Sequence, residues 1–245
     1  MSRLAVVVPV YNEATGIVPT LEALATQTDD DFDVVFVDNG STDDSVSIIE
    51  SFGQPRWRVI HEPQKGTGAA ADTGMRAAIA AGAELLARTD ADCIPRADWT
   101  AAMRRSLATL ALVGGELIPR TDEGLNWATR LSLRGAVHLA EAFGRLRPGN
   151  RAPEYLGPYL MAAGCNVGIT AALYEQAGGF PRTKIEDLHE DRALVNAVRR
   201  ITSSYARRGD VVVYGSSRRV TAWGLKNTLL WYKDHAYRPE HVDIR

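Results

Sequence analysis

The stretch Leu4-Ala5-Val6-Val7-Val8-Pro9-Val10, followed by Tyr11-Asn12-Glu13, decides the fold. A short apolar run that stops at a polar group is typical of a strand buried on both faces of a parallel sheet. Pro9 has no amide hydrogen to donate to a neighbouring strand, so it indicates a sheet edge or a strand end. We therefore expect β-strand over Leu4–Val10 and a polar loop directly after it.

The same pattern recurs over the first 120 residues, where apolar runs alternate with helical stretches. We predict further strands at Val34–Val37, Trp57–His61 and Glu84–Asp90, the last with a start that can also be read as helical. Helices are predicted at Ile17–Thr26, Asp43–Phe52 and Gly68–Ala81, with Ser41 or Thr42 capping the second. Strand–helix alternation of this kind predicts an α/β fold, a central and mostly parallel sheet flanked by helices.

Polar residues follow each predicted strand. Parallel sheets bind ligands beyond the carboxyl ends of their strands, so these groups should share one edge. They are Tyr11 to Glu13, Asp38 to Gly40, His61 to Lys65 and Asp90 to Asp92.

Composition narrows the class of protein. The 245 residues carry 28 lysines and arginines against 30 acidic residues, but residues 1–95 are net −9 and residues 96–245 net +7. We interpret this as an acidic half that can hold a cation and a basic half that can face phosphates or an anionic surface; two ordinarily solvated faces explain it equally well. No RNA-binding motif or zinc finger occurs, so we expect no nucleic-acid partner.

Cysteine content and hydropathy predict a location. Cys93 and Cys165 are too few for a disulfide framework, which favours a reducing, cytoplasmic compartment. No apolar run approaches the roughly 20 residues of a membrane-spanning helix. We also expect peripheral contact with the inner face of the membrane, because Trp223, Leu230 and Trp231 can form an amphipathic tail; packing on the domain is the simpler alternative.

Two carboxylates one residue apart, Asp90 and Asp92, mark the end of the fourth strand. Oxygen ligands at a strand end suit Mg²⁺ or Mn²⁺, which leave positions open for substrate phosphates. The motif alone is weak, because it is also common in turns and helix caps. At the end of the second strand, Asp38 can accept from a base or a ribose hydroxyl, whereas Ser41 to Asp44 are best explained as a turn and a helix cap.

Together these motifs resemble family 2 of the glycosyltransferases, which use nucleotide sugars on a GT-A fold. The matching segments appear in the family's order and span residues 5 to about 200: Val8-Pro9-Val10-Tyr11-Asn12-Glu13, Val37-Asp38-Asn39-Gly40-Ser41-Thr42-Asp43, Asp90-Ala91-Asp92, Gly178-Gly179-Phe180 and Glu190-Asp191-Arg192-Ala193-Leu194. The resemblance implies that Pro9, Tyr11, Glu13 and Asp38 surround the nucleotide and that Asp90 and Asp92 serve nucleotide and metal. It also implies a UDP-, GDP- or dTDP-sugar donor, an acceptor with a free hydroxyl, and inversion at the anomeric carbon.

The chain departs from the family pattern in the helix after the third strand. An Ala-Arg-Asn run is common there, and this chain has Ala70-Ala71-Asp72 instead. The diphosphate contact then falls to Lys65 or to a later arginine. Arg218 and Arg219 can supply such a contact, or can form a solvated turn.

A second departure is a doubled acidic pair, Glu186-Asp187 and Glu190-Asp191. Transfer needs a carboxylate to take the acceptor's proton. We predict Asp191, at the start of a helix, as that base, with Asp187 as its rival and Glu190 beside it; the pair could instead only favour the helix dipole. His235 is a further metal candidate, although a packed or surface histidine is the commoner case.

We predict a single domain over residues 1–245, with a donor-binding half at 1–95 and an acceptor-binding half with a helical C-terminal segment at 96–245. Two other functions fit part of the pattern. A sugar-1-phosphate nucleotidyltransferase shares the α/β sheet and Mg²⁺, but typically has a basic, glycine-rich first loop that is missing from Tyr11 to Gly16. A non-catalytic sugar-nucleotide-binding module would not need the later acidic pair.

Overall fold

A computed structural model of the chain describes residues 2–182 and 189–232. These residues form one α/β domain around a curled sheet of eight strands in the order β3-β2-β1-β4-β7-β6-β8-β5. The strands are β1 (Leu4–Val10), β2 (Phe32–Asp38), β3 (Trp57–His61), β4 (Leu85–Arg88), β5 (Ile94–Pro95), β6 (Leu112–Pro119), β7 (Val167–Thr170) and β8 (Tyr205–Gly215).

Eight helices flank this sheet in the described part of the chain. They are α1 (Val18–Ala25), α2 (Ser45–Ser51), α3 (Thr67–Ala80), α4 (Trp99–Leu107), α5 (Trp127–Leu146), α6 (Ala171–Gln176), α7 (Glu190–Ile201) and α8 (Arg218–Tyr232). Two buried apolar clusters, one on each face of the sheet, form the core. No helix in residues 2–182 or 189–232 has the length and apolar character needed to cross a bilayer.

Strand β1 lies inside the sheet because every one of its residues is buried. It pairs in parallel with β2 along its whole length and with β4 only over Leu4 to Val7. Pro9 therefore lies beyond the last residue that pairs with β4, near the end of the strand, where a missing amide hydrogen does no harm. The strand-end alternative for Pro9 is confirmed, and the edge alternative is wrong.

The first four strands and three helices confirm the predicted alternation, with small changes at their ends. The fourth strand is shorter than Glu84–Asp90, and its start is not helical. The predicted capping of the second helix is wrong, since α2 begins after Asp44 and no side chain caps it. The hydroxyl of Ser41 instead accepts from the amide of Asn12, which ties the loop after β2 to the loop after β1.

The second half of the chain inserts an antiparallel strand into the sheet. β7 pairs with both β4 and β6, in each case antiparallel. β6 and β8 pair in parallel, with a bulge between Gly115 and Glu116. The buried side-chain amide of Asn166 donates to the backbone carbonyls of Glu116 and Val211 at 2.9 and 3.0 Å. It therefore supplies hydrogen bonds to carbonyls that the bulge removes from the pairing of β6 with β8.

Helix α3 packs against β1 and β2 at Gly74. A β-carbon at this position would overlap the side chains of Val7 and Val37. We expect Gly74→Ala to lower the free energy of unfolding by about 1–3 kcal/mol, because the core has no room for the methyl group. Urea denaturation measures the change. Gly135→Ala in α5 is the matched control: nothing lies within 4 Å of its β-carbon, so it should be neutral or stabilising. Equal losses at both positions would contradict this packing argument.

Candidate active site

The loops after β1 and β2 are joined by side chains at the carboxyl edge of the sheet. Asn12 has a positive φ of 50°. Its side-chain oxygen accepts from the backbone amide of Thr42 at 2.8 Å, and its backbone amide donates to the Ser41 hydroxyl at 3.0 Å. The amide of Glu13 donates to the Ser45 hydroxyl at 2.7 Å. These contacts fix the backbone from which Glu13 reaches into the site.

The carboxylate of Asp38 is buried at the end of β2. It accepts from the amides of Gly40 and Ser41 and lies 3.1 Å from Nδ1 of His61. Burial alone would raise the pKa of Asp38, but the hydrogen bonds from Ser41, His61 and Gly40 outweigh it and lower the pKa. The side chain is therefore a carboxylate at neutral pH. Its hydrogen bonds also fix the turn that follows β2 at the carboxyl edge of the sheet.

Tyr11 and Lys65 lie together at this edge. The ammonium of Lys65 is 3.8 Å from the centre of the Tyr11 ring and donates to the carbonyl of Gly40 at 3.3 Å. Pro9 is buried in the strand behind them. A positive charge thus lies above an aromatic ring at the end of β1, an arrangement that can accept an anionic ligand.

One guanidinium joins the first and fourth strand ends. Nη2 of Arg218 lies 2.8 Å from Oε1 of Glu13 and 2.9 Å from Oδ2 of Asp92. Because a single nitrogen contacts both carboxylates, these oxygens converge on one position that a cation can occupy. The attraction raises the pKa of Arg218 despite its burial.

The segment before α8 holds Arg218 at this position. The carboxylate of Glu123 accepts from the hydroxyls of Ser216 and Ser217 at 2.9 and 2.7 Å. Arg219 follows in the first turn of α8 and is half-buried. Gly224 interrupts the helix six residues after Arg218 with a non-helical φ of 76°. The fold thus places Arg218 at the site and Arg219 next to it.

A second guanidinium, that of the fully buried Arg88, joins the end of β4 to the start of α7. Nε of Arg88 donates to Asp90 at 3.1 Å, and its terminal nitrogens lie 3.4 Å from Oε1 of Glu190. Burial raises the pKa of Asp90, and the neighbouring charges of Asp92 and Glu190 add to this, against the attraction of Arg88. Arg88 therefore brings the first carboxylate of the Asp-x-Asp motif and the start of α7 together.

Asp191, the predicted base, lies in the first turn of α7. Its carboxylate accepts from the amide of Arg192 at 2.6 Å and from the amide of Gly164 at 3.3 Å. Burial, with the charge of Glu190 beside it, raises the pKa of Asp191 to about 6. A carboxyl group with a pKa near neutrality is suited to accept a proton.

The oxygens of this site fit a hard divalent cation. In the described ranges no three His, Cys, Asp or Glu side chains are grouped closely enough to hold a metal by themselves. Glu13 and Asp92 nevertheless converge on a position that a guanidinium now fills. Mg²⁺ and Mn²⁺ take few protein carboxylates and complete their shells with water and substrate phosphates, so the residues present fit such an ion.

Two predicted site residues, Asp187 and His235, lie outside the described residues. Their roles stay predictions, as does the membrane contact assigned to Trp223, Leu230 and Trp231.

Asp72, which stands in the segment that departs from the family's Ala-Arg-Asn run, is held by contacts inside the protein. It is buried in α3, where it accepts from Arg76 at 2.9 Å and from the hydroxyl of Tyr174 at 2.9 Å, and forms an ion pair with Arg182 at 3.4 Å. Arg182 also pairs with the buried Glu62 at 2.8 Å. Asp72 therefore fastens the chain after the Gly178-Gly179 turn to α3.

Sequence reasoning missed Arg88, Arg120 and Glu123. Arg120 donates to the backbone carbonyl of Asp92 at 2.9 Å, and Glu123 holds the two serines before Arg218. One signal for Arg88 was available: a charged residue inside a run predicted as buried strand needs a buried partner. Nothing in the sequence pattern indicated the other two.

Comparison with known proteins places these features in a family. The family model for Glycosyl transferase family 2 matches residues 5–169. Among named relatives, glycosyltransferase AglE of Haloferax volcanii is 33% identical over 120 residues, 47% of this chain and 38% of its own length. Glycosyltransferase GlyG of Streptococcus pneumoniae is 39% identical over 97 residues, 38% of this chain and 32% of its own. The chain thus spans only about a third of these relatives.

Solved structures share the fold. TarS of S. aureus, residues 1-349 in complex with UDP-GlcNAc, matches 88% of this chain and 58% of its own with a TM-score of 0.63 at 17% identity. The mannosyltransferase PcManGT of Pyrobaculum calidifontis, in complex with GDP-Man and Mn²⁺, matches 91% of this chain and 59% of its own with a TM-score of 0.61 at 24% identity. Both likenesses support the GT-A architecture.

Arg88 should matter to stability more than any exposed arginine. Arg88→Leu leaves Asp90 and Glu190 without their cation, and we expect it to lower the free energy of unfolding by about 3–5 kcal/mol. Arg105→Leu is the control, because this arginine is 61% exposed and 3.9 Å from Asp210; it should change stability by less than about 1 kcal/mol. Urea denaturation of both variants measures the two changes in the free energy of unfolding. Similar small losses would show that Arg88 does not hold the two carboxylates.

Proposed function

The chain belongs to glycosyl transferase family 2, and we propose that it transfers a sugar from a nucleoside-diphosphate sugar to an acceptor hydroxyl, with a divalent cation and inversion at the anomeric carbon. The observation that carries the proposal is the convergence of Glu13, the predicted nucleotide contact, and Asp92, the predicted metal ligand, on one nitrogen of Arg218 at 2.8 and 2.9 Å. Strand ends of a parallel sheet are where such folds bind nucleotides.

We assign the donor to the edge formed by β1, β2 and β4. The carboxylates of Asp38 and Glu13 accept hydrogen bonds from ribose hydroxyls or from N–H groups of the base. Tyr11 packs on the base, and Lys65 faces the diphosphate. Support comes from the aromatic and cationic pair at Tyr11 and Lys65, 3.8 Å apart. The two comparison complexes hold UDP-GlcNAc and GDP-Man, so they do not choose between bases for this chain.

We assign the cation to Asp92 and Asp90, with Arg218 and Arg219 as diphosphate contacts. A bound cation would neutralise charge that develops on the leaving diphosphate. Arg218 contacts both Glu13 and Asp92, and a cation held by Asp92 would replace the second of these contacts. The guanidinium is then placed to donate to diphosphate oxygens, for which its planar fork is suited.

We assign the proton transfer to Asp191. As the acceptor oxygen forms its bond to the anomeric carbon, its proton passes to the Asp191 carboxylate, and the bond between that carbon and the diphosphate breaks on the opposite face. A single displacement of this kind inverts the anomeric centre and needs one base. Glu190, bound to Arg88, positions the helix start from which Asp191 projects.

Metal-dependent donor binding is tested by thermal shift and calorimetry with UDP, GDP, dTDP and CDP, each with and without Mn²⁺. A ligand that binds only the folded protein raises its melting temperature. Asp92→Asn should weaken nucleoside-diphosphate binding in Mn²⁺ by about tenfold or more, because the cation loses a charged ligand. Asp44→Asn, in the loop before α2, should leave binding unchanged. Equal affinity of the native protein with and without Mn²⁺ would exclude the metal role.

The base is tested by turnover, with donor hydrolysis as the first measurement until an acceptor is found. Asp191→Asn keeps the shape of the side chain and removes the proton acceptor, so turnover should fall about 10²–10⁴-fold with donor affinity unchanged. The pKa of about 6 predicts that the native rate rises as pH increases through that value, since the base works when ionised. The variant should lose this acidic limb.

Asp187→Asn serves as the comparison for this experiment. It should cost much less than Asp191→Asn if Asp187 is not the base. Loss of transfer in Asp187→Asn with near-native turnover in Asp191→Asn would exchange the two roles. Release of pyrophosphate from a sugar-1-phosphate and a nucleoside triphosphate would overturn the transferase proposal in favour of a nucleotidyltransferase.

A further inference from the structure

Helix α5 carries its apolar side chains on the outside. Five large apolar residues in this helix are strongly exposed, although apolar helix faces normally pack on a core. Their exposed fractions are 72% for Trp127, 63% for Leu131, 60% for Leu139, 64% for Phe143 and 62% for Leu146. A concentration of this kind on one element marks an interaction surface.

These side chains fall on one side of the helix. At 3.6 residues per turn, Leu131, Leu139, Phe143 and Leu146 lie within an arc of about 120°, and the other residues in that arc are alanines, Gly135 and Ser132. Trp127 lies one turn before Leu131, about 40° beyond the edge of the arc. We call this arc the outer face of α5. No charged residue interrupts it, so the outer face is a continuous apolar strip.

The polar side of α5 faces the domain. Arg134 and His138 contact the buried carboxylate of Glu116 in β6, at 3.0 and 3.1 Å. Glu141 is buried and pairs with Arg207 of β8 at 3.1 Å and with Arg145 at 2.8 Å. The helix is therefore held to the sheet by ion pairs, which leaves its apolar residues available on the opposite side.

The exposed charges on α5 and directly after it have one sign. Between residues 127 and 151 the chain has five arginines and a single acid, the buried Glu141. Arg134 and Arg145 are about half exposed even though they are paired, and Arg147 and Arg151 follow the helix at exposed positions. An apolar strip bordered by arginines matches an anionic bilayer, whose interface takes apolar side chains and whose headgroups attract the basic rim.

We propose that α5 docks the protein on an anionic lipid surface through its outer face. A second copy of the chain fits this face less well, because symmetric pairing of two such helices would bring the same arginines together. The last turn of α5 packs on Tyr159 at Gly144. Burial raises the pKa of the Tyr159 hydroxyl, and the charge of Asp191 adds to this effect, so Asp191 lies near Tyr159. Docking would therefore bring the membrane to the acceptor side of the site. Vesicle binding needs neither donor nor acceptor, so its outcome is independent of the proposed activity.

Vesicle co-sedimentation tests the proposal with the full chain. The native protein should bind vesicles of phosphatidylcholine with phosphatidylglycerol, bind pure phosphatidylcholine far less, and lose binding as salt rises. Leu139→Ser with Phe143→Ser should weaken binding by about tenfold or more, because two apolar side chains no longer enter the interface. The matched control is Val18→Ser with Ile201→Ser, two apolar residues exposed by 41% and 38% on other helices. It should bind within about twofold of the native protein, and both variants should keep the native melting temperature.

Fluorescence quenching by brominated lipid identifies the segment that enters the bilayer. Most of the quenching should disappear in Trp127→Phe. Quenching that persists in this variant would assign the contact to another segment and overturn the proposal. So would absence of binding to anionic vesicles. A native dimer in sedimentation velocity that Leu139→Ser with Phe143→Ser converts to monomer, without vesicle binding, would identify a second copy as the occupant.

Discussion

The buried charge of Arg88 is the constraint on which the site depends. A guanidinium that is almost wholly withdrawn from water is tolerated only where carboxylates and hydrogen bonds compensate it. One of its partners, Asp90, is two residues away at the end of β4, and the other, Glu190, lies at the start of α7, about a hundred residues later. The strand end that carries the metal candidates and the helix that carries the candidate base must therefore be in place together.

Sequence alone predicted the first strands of the sheet well and the long-range contacts of the site poorly. β1 has the predicted bounds because a buried parallel strand leaves an apolar run that ends abruptly in polar residues. β3 also has the predicted bounds, although it is an edge strand with no fully buried residue. The cap at Ser41 or Thr42 was wrong because a tertiary contact to Asn12 competes for the hydroxyl. The pairing of Arg218 with Asp92 joins residues 126 positions apart, and no local pattern specifies a contact of that range.

The opposite charges of the two parts of the sequence are partly explained by contacts between them. Glu13 and Asp92 pair with Arg218, Glu62 and Asp72 with Arg182, and Asp29 with Arg104. Several acids of residues 1–95 are thus neutralised by arginines of residues 96–245 inside one domain. The asymmetry predicted a cation site and an anionic partner; in the structure, some of it is used to hold the acidic and basic parts of the chain together.

Strand β7 has a consequence for how the chain can be divided and how it folds. It lies against β4 on one side and β6 on the other, so it covers an edge of the parallel part of the sheet with a segment made some eighty residues later. During synthesis, β4 must wait with unpaired amides and carbonyls until β7 emerges, and an exposed edge of this kind is a template for aggregation. A fragment ending near residue 95 would keep that edge open permanently. Strands β1 to β4 and the strands that follow are therefore one cooperative unit, and a permuted chain should fold best when its new ends lie outside the segment from β4 to β7.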